Sequence, residues 1–163
     1  MEKTNENKTL EALKNRFGQA IIECGLDRQD PVAVVEPGKI HDIISFLKDD
    51  QASGYKMLID LFGVDYSPRK PRFEVVYILH NPETHDRLRL RVRLEETGCE
   101  VASIHDLYPV ADWLERETWD MFGIRFSGHP NLKRILTYGS FEGHPLRRDY
   151  PIDKRQPLIG PQN

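Results

Sequence analysis

Apolar residues recur at helical spacing near the start of the chain, where Leu10, Leu13, Phe17, Ile21 and Cys24 fall on one face and Gly25 follows as a stop signal. The pattern predicts an amphipathic helix over 9–24, behind a polar start at residues 1–8 that is expected to be disordered. The period then shortens. "VAVVE" at 32–36 is apolar and rich in β-branched residues, as a buried strand is, and Pro37-Gly38 breaks it before Ile40, Ile43, Ile44 and Leu47 resume the helical repeat as far as Asp50. "YKMLIDLFGVDY" at 55–66 reads as another buried strand, closed by a turn at "SPRKP", because two prolines cannot sit in a central ladder.

The clearest strands are "RFEVVYILH" and "RLRLRVRL". In the second, Leu88, Leu90, Val92 and Leu94 alternate with Arg87, Arg89, Arg91 and Arg93, the period of two expected of a sheet with one buried face. "NPETHD" between them closes an antiparallel hairpin. After Thr97-Gly98, "CEVASIHDLYP" leads to a helix from about Val110 to Phe122, and an irregular tail follows. Helix, strand, helix, three strands and helix are buried most simply as α+β, a two-layer sandwich with helices on one face of a mostly antiparallel or mixed sheet. The expected organisation is one α+β domain over 9–138 and an extended C-terminal arm over 139–163.

Composition narrows the function classes more than the fold. The chain has 163 residues and a net charge of -3, enough for one core and without the global basic excess of a nucleic-acid binder. No apolar run approaches the roughly 20 residues that span a bilayer, and the start lacks the apolar core of a signal peptide and the Arg-rich character of a transit peptide. Cys24 and Cys99 are the two cysteines, without CxxC or Cys/His spacing, so neither a disulfide framework nor an iron-sulfur or zinc site is written in the chain. Gly-rich phosphate loops, GxSxG, HExxH and GxGxxG are also missing.

Several polar groups stand out against this background. The row of four arginines could meet a phosphate backbone or an acidic partner, but a solvated outer face is the favoured reading. On the last helix, Val110, Trp113, Leu114 and Met121 form a stripe into which Glu117 falls, so Glu117 is expected on the buried face, paired with Arg134, Arg147 or Arg148. Arg116 and Asp120, four apart, are expected to pair on the outer face. His129 and His144 each lie between Gly and Pro. They suit a fixed turn in which the imidazole caps a backbone carbonyl better than they suit a metal site.

From Glu115 onward the sequence becomes specific. "ERETWDMFGIRFSGHPNLKRIL" followed by "FEGHPLRRDYP" resembles, nearly position for position, the signature region of the 30 kDa (C) subunit family of proton-pumping NADH:quinone oxidoreductase, respiratory complex I. The resemblance implies a cofactor-free subunit of the peripheral arm, in a hetero-oligomer with the D-type (49 kDa) subunit, the B-type subunit and other peripheral-arm subunits. FMN and iron-sulfur clusters would then sit in those partners. It further implies a place on the cytoplasmic face of a bacterial inner membrane, with no nucleic acid bound and no membrane span. Structural or partner-binding roles are implied for Glu115, Arg116, Glu117, Asp120 and Gly123 on and after the helix. The same holds for Gly128, His129, Pro130 and Arg134, and for Gly143, His144, Pro145, Arg147, Arg148, Asp149 and Tyr150. A C-type subunit of a related membrane-bound hydrogenase or F420-type dehydrogenase is the nearest alternative, and a free-standing RNA-binding or regulatory module using the Arg face is a remote one.

The tail keeps Phe141, Leu146, Tyr150, Ile152 and Leu158 among prolines and basic residues, without apolar periodicity. It is expected to wrap a neighbouring subunit, so that truncation after Tyr138 leaves the α+β domain folded.

Overall fold

The computed structural model describes residues 3–28, 30–49 and 54–157. Expectations for residues 1 and 2, Asp50, Leu158 and the last five residues lie outside the described residues.

The chain opens with α1 (Lys3–Phe17), which takes in residues 3–8 instead of following them. It stops earlier than the spacing of its apolar residues predicts. Gly18 adopts φ +53, in the left-handed region that ends helices, and a short 3-10 turn leads into β1 (Ile21–Asp27). Ile21 and Cys24 therefore share the helical period by coincidence. Their conformation is set by antiparallel pairing with β2 (Asp30–Val35), a tertiary contact that local periodicity does not contain.

Apart from two short strands, the remaining elements follow the pattern closely. They are α2 (Ile40–Asp49), β3 (Met57–Asp65), β4 (Phe73–His80) and β5 (Arg87–Leu94), then β6 (Glu100–Ala102), α3 (Ala111–Phe122) and β7 (Arg125–Ser127). The five-stranded sheet has the order β1-β2-β5-β4-β3, with β2 parallel to β5 and the other neighbours antiparallel. β6 and β7 form a small parallel pair of three residues each, too short to announce themselves in the sequence.

One face of the sheet carries the core. Val75, Tyr77 and Leu79 of β4 and Leu88, Leu90 and Val92 of β5 join Leu10 and Leu13 of α1, Ile40, Ile43, Ile44 and Leu47 of α2, and Ala111 of α3 in one apolar cluster. Burial of each such Leu or Ile contributes about 1.5–3 kcal/mol. The chain is an α+β sandwich, as the order of elements predicts. α3 lies directly on β3 at Gly63, where an added Cβ would meet Phe122, Ile124 and Thr118 at 2.9, 3.1 and 3.1 Å. The missing side chain is what allows the helix to come so close.

The opposite face carries the arginine row. Arg91 stands in register with Val34 on one side and Val76 on the other, and both valines are buried although they face away from the core. The arginine stems cover them while the guanidinium groups reach outward. Arg91 meets Glu74 at 2.7 Å, Arg93 meets Glu23 at 2.7 Å and Arg89 meets Asp27 at 2.6 Å. Arg89, Arg91 and Arg93 are matched by carboxylates from β1 and β4, on an outer face that is half-buried where the sequence favours a solvated one. That pairing leaves little of the unpaired positive charge a phosphate backbone would need.

Candidate interaction site around the third helix

α3 turns a different face inward from the one its apolar stripe suggests. Ala111, Glu115, Thr118, Asp120 and Met121 are buried, whereas Trp113 is 68% exposed, Val110 is 49% exposed and Glu117 is exposed. The expectation of a buried, paired Glu117 is thus corrected: the carboxylates inside are Glu115 and Asp120. Counting Trp113 and Val110 as inward residues set the phase wrongly, since the buried stripe runs through Ala111, Glu115 and Thr118, three or four residues apart. The outer-face Arg116–Asp120 pair is corrected too. Arg116 instead donates from Nε to the carbonyl of Lys133 at 3.1 Å and approaches Asp112 at 4.0 Å.

Asp120 is the anchor for the segment that follows β7. Its Oδ2 accepts the backbone N–H groups of Ile135, Leu136 and Thr137 at 3.0, 2.9 and 2.9 Å. Its Oδ1 accepts from Thr137 Oγ1 at 2.5 Å and from the Arg134 guanidinium at 2.6 Å. Burial would raise this carboxyl, but the Thr137 hydroxyl and N–H, Arg134 and the Ile135 N–H outweigh it and hold the pKa at about 2. Arg134, proposed as a partner for the wrong acid, is an ion-pair partner in this helix after all. It also donates to the carbonyl of Gly143 at 3.0 Å and lies over the rings of Trp119 and Phe141.

The two Gly-His-Pro turns staple opposite ends of α3. His129 Nδ1 accepts the N–H of Asn131 at 3.0 Å, which leaves Nε2–H to donate to the carbonyl of Asp112 at 3.1 Å. His144 Nδ1–H donates to the carbonyl of Asp120 at 3.0 Å. Both imidazoles cap backbone carbonyls, as the turns suggest. Burial, with Arg147 and Arg134 nearby, pushes the His144 ring below its usual value, although the carbonyl of Asp120 opposes this.

The arm completes the end of the helix. The last carbonyls of any α-helix lack partners within it. Here Trp119 O accepts from Gly123 N at 2.8 Å, Asp120 O from His144, Met121 O from Leu146 N at 3.1 Å and Phe122 O from Arg147 Nε at 2.5 Å. Gly123 sits at φ +75, and a Cβ there would lie 2.6 Å from both His144 and Arg147. "GHPLR" is therefore the C-terminal cap of α3, delivered from more than twenty residues downstream.

A second clasp fixes the arm to the sheet. Arg72, at the mouth of β4, is buried and meets Asp65 of β3 at 2.8 Å, Glu96 at 2.6 Å and Asp149 of the arm at 2.7 Å. The N–H of Arg148 donates to Asp65 Oδ2 at 2.9 Å, and its guanidinium donates to the carbonyl of Ser67 at 2.7 Å. Burial alone would raise the Asp65 carboxyl, but Arg72 and the N–H groups of Arg148 and Ser67 bring it down to about 2. Tyr150 stacks on Phe141 with centroids 6.1 Å apart, and a Cβ on Gly143, at φ +93, would meet the Tyr150 ring at 2.9 Å. The arm over 139–157 thus rests on its own domain, and the expectation that truncation leaves that domain intact is replaced by the opposite one.

Not every expected residue joins this arrangement. Gly128 turns the chain at φ +81 with open space around it, Pro130 is exposed, and Pro145 is half-buried within the cap. Asp65 and Arg72 are central to the clasp and have no local signal, since each reads as a strand end until the fold brings the arm across it. Ser103 and Glu115 form a further buried contact: Ser103 Oγ lies 2.5 Å from Glu115 Oε2, and Ile104 N–H donates to Oε1 at 2.7 Å.

The α+β sandwich thus uses the polar side chains of α3 and the arm to bind its own helix ends, and leaves Trp113, Leu136 and Leu146 exposed. A match to the model for the 30 kDa subunit of respiratory-chain NADH dehydrogenase covers residues 33–156, and the chain belongs to that family. It is 41% identical over 156 residues to the C subunit of the NADH-quinone oxidoreductase of Citrifermentans bemidjiense, covering 94% of this chain and 96% of that one. The equivalent protein of Methylobacterium sp. (strain 4-46) is 43% identical over 147 residues, 88% of this chain and 68% of the relative. Among solved structures, the trypsin-resistant fragment (1-134) of Nqo5 superposes with a TM-score of 0.66 at 30% identity, covering 76% of this chain and 99% of the fragment. The protein is thus a subunit of NADH-quinone oxidoreductase and works in a hetero-oligomer with other complex I subunits. Among the described residues no helix is long and apolar enough to cross a membrane.

Proposed function

We propose that this chain is a cofactor-free structural subunit of the peripheral arm, which holds the D-type quinone-site subunit and its B-type neighbour in place while electrons pass from NADH to quinone through those partners. On this reading it sits on the cytoplasmic face of a bacterial inner membrane, attached through other subunits. FMN and iron-sulfur clusters belong to the neighbours. The observation that carries the reading is a set of large apolar side chains left exposed at α3 and on the segments that follow it. Val110 and Trp113 project from one side of α3, while Leu136, Leu146 and Ile152 are 62%, 56% and 104% exposed on the segments clamped to that helix. Large apolar side chains held on a rigid backbone lose little entropy on docking, and an exposed tryptophan is the residue type that most often dominates binding energy.

Co-expression of this chain with a D-type subunit tests the reading. Trp113→Ala should leave folding and melting unchanged and weaken co-purification at least about tenfold, in the range of an interface hot spot. Unchanged capture of the D-type subunit by Trp113→Ala and by a Leu136→Ala, Leu146→Ala double variant would place the interface elsewhere. A stoichiometric iron or flavin content in the purified chain would contradict the cofactor-free part.

A further inference from the structure

α3 holds two buried carboxylates of opposite character. Asp120 is surrounded by a guanidinium and several N–H groups. Glu115 is fully buried, and among the described residues it forms no ion pair: its partners are one backbone N–H and one hydroxyl. That hydroxyl leads outward. Ser103 Oγ sits 2.5 Å from Glu115 Oε2 and 3.0 Å from Nδ1 of His105, whose ring is only partly covered. Carboxyl, hydroxyl and imidazole thus form an unbroken hydrogen-bonded path from the interior of the domain to its surface.

We propose that Glu115, Ser103 and His105 are a proton-exchange site, in which the buried carboxyl takes up and releases a proton through the serine hydroxyl and the histidine ring. The geometry satisfies both end states. With Glu115 protonated, its O–H donates to Ser103 Oγ, Ser103 O–H donates to Nδ1, and the neutral imidazole carries its proton on Nε2. On release, the Glu115 O–H bond breaks as an O–H bond forms on Ser103. The original Ser103 O–H breaks as Nδ1–H forms, and the Nε2 proton leaves to water. One proton has crossed from Glu115 to solvent. Ser103 now donates to the carboxylate and accepts from Nδ1–H, so each group keeps its partner in both states.

The surroundings place the exchange near neutrality. Burial lifts the Glu115 pKa to about 7, the Ile104 N–H and Ser103 hydroxyl oppose it, and the negative charges of Asp112 on its own helix and Asp106 on the loop raise it further. From the sheet side, the Tyr77 hydroxyl of β4 is buried without a hydrogen-bond partner among the described residues, and Glu115 adds to burial in pushing the Tyr77 pKa up. The flanking acids are themselves engaged. His41 of α2 meets Asp106 at 2.9 Å, and His129 Nε2 meets Asp112 Oδ1 at 3.1 Å, with the His129 ring 5.8 Å from that of His105. Glu115 has a raised pKa, so its contribution to stability is complete below the ordinary value of 4.5 and is lost as pH rises through about 7.

The test is NMR of the full chain labelled at the carboxyl carbons of Glu and the ring nitrogens of His, titrated from roughly pH 5 to pH 9. The expected result is a Glu115 midpoint well above 4.5 and, at the same midpoint, transfer of the neutral His105 ring proton from Nε2 to Nδ1. In Glu115→Gln, the His105 ring should show no such transfer. In Ser103→Ala, Glu115 should still titrate while the His105 tautomer no longer follows it, and Ser103→Thr should restore the link. The wild-type spectrum decides even if a variant fails to fold. A Glu115 midpoint at its ordinary value, or a His105 ring whose nitrogens do not change where Glu115 titrates, would overturn the proposal. So would coupling that survives in a folded Ser103→Ala chain, because the proton would then reach His105 without the hydroxyl.

Discussion

The five-stranded sheet and the region from α3 to the arm are held together by different physics. In the sheet, Leu88, Leu90 and Val92 are fully buried by strict alternation, and the β4–β5 register sets Leu79, Tyr77 and Val75 beside them. From α3 onward, the decisive contacts are side chain to backbone: His129 and His144 on helix carbonyls, Asp120 on three N–H groups, Arg147 on Phe122 O and Arg148 on Ser67 O. The first region shows how apolar periodicity makes a fold. The second shows how a polar, Gly- and Pro-rich segment can be fixed when side chains such as Arg134, His144 and Arg147 find internal partners. That rigidity is what lets Trp113, Leu136 and Leu146 stay exposed on a shaped surface.

The comparison would break first at Arg72, where sheet and arm meet. Arg72→Ala removes the common partner of Asp65, Glu96 and Asp149 and leaves Asp65 buried without its counter-charge. A loss of about 3–5 kcal/mol in urea unfolding is expected, as for other broken buried pairs. The smaller loss of an exposed pair, about 1 kcal/mol or less, would mean that the clasp is not desolvated in solution.

Asp120→Ala should cost somewhat less, about 2–4 kcal/mol, since three N–H groups and Arg134 lose an acceptor but lie close enough to water to recover part of it. The same site gives the region an acid limit. Asp65 and Asp120 have pKa values lowered from 3.8 to about 2, so their stabilisation is present above 3.8 and is lost as pH falls through about 2. The melting temperature should therefore drop over that interval, and less steeply in Asp120→Ala than in the wild type. An equal slope in the two would show that Asp120 does not have a lowered pKa.

The smallest effect is expected at Glu117. Its exposed position implies that Glu117→Ala changes stability by no more than about 0.5 kcal/mol. A loss of several kcal/mol would restore the buried phase that the apolar stripe of α3 suggests.

How far the molecule could be read from its sequence divides along the same line. Most elements of the sheet layer were legible, because Leu88 to Leu94 and Ile40 to Leu47 state their periods without interruption. β1 was not, because Ile21 and Cys24 happen to continue a helical repeat that Gly18 ends. In the signature region the capping role of the two histidines was visible in the Gly-His-Pro turns. The face of α3 was not, because Trp113 is large and apolar yet lies outside, while Glu115 and Asp120 are acidic yet lie inside. Periodicity assigns such residues to the wrong side whenever their partners come from distant parts of the chain. Asp65 and Arg72 are hidden for the same reason, since their meaning depends on Asp149 and Arg148 some eighty residues further on.

The most direct test of this account is the thermal and urea stability of a chain ending at Tyr138, compared with the full chain under one set of conditions. Removal of the arm takes His144, Leu146 and Arg147 from the carbonyls of α3 and Asp149 from Arg72, so the truncated chain should be destabilised by at least about 3 kcal/mol or fail to fold. If it melts with the full chain and keeps the same circular dichroism, the arm is not part of this domain, and its order must come from a neighbouring protein of the complex.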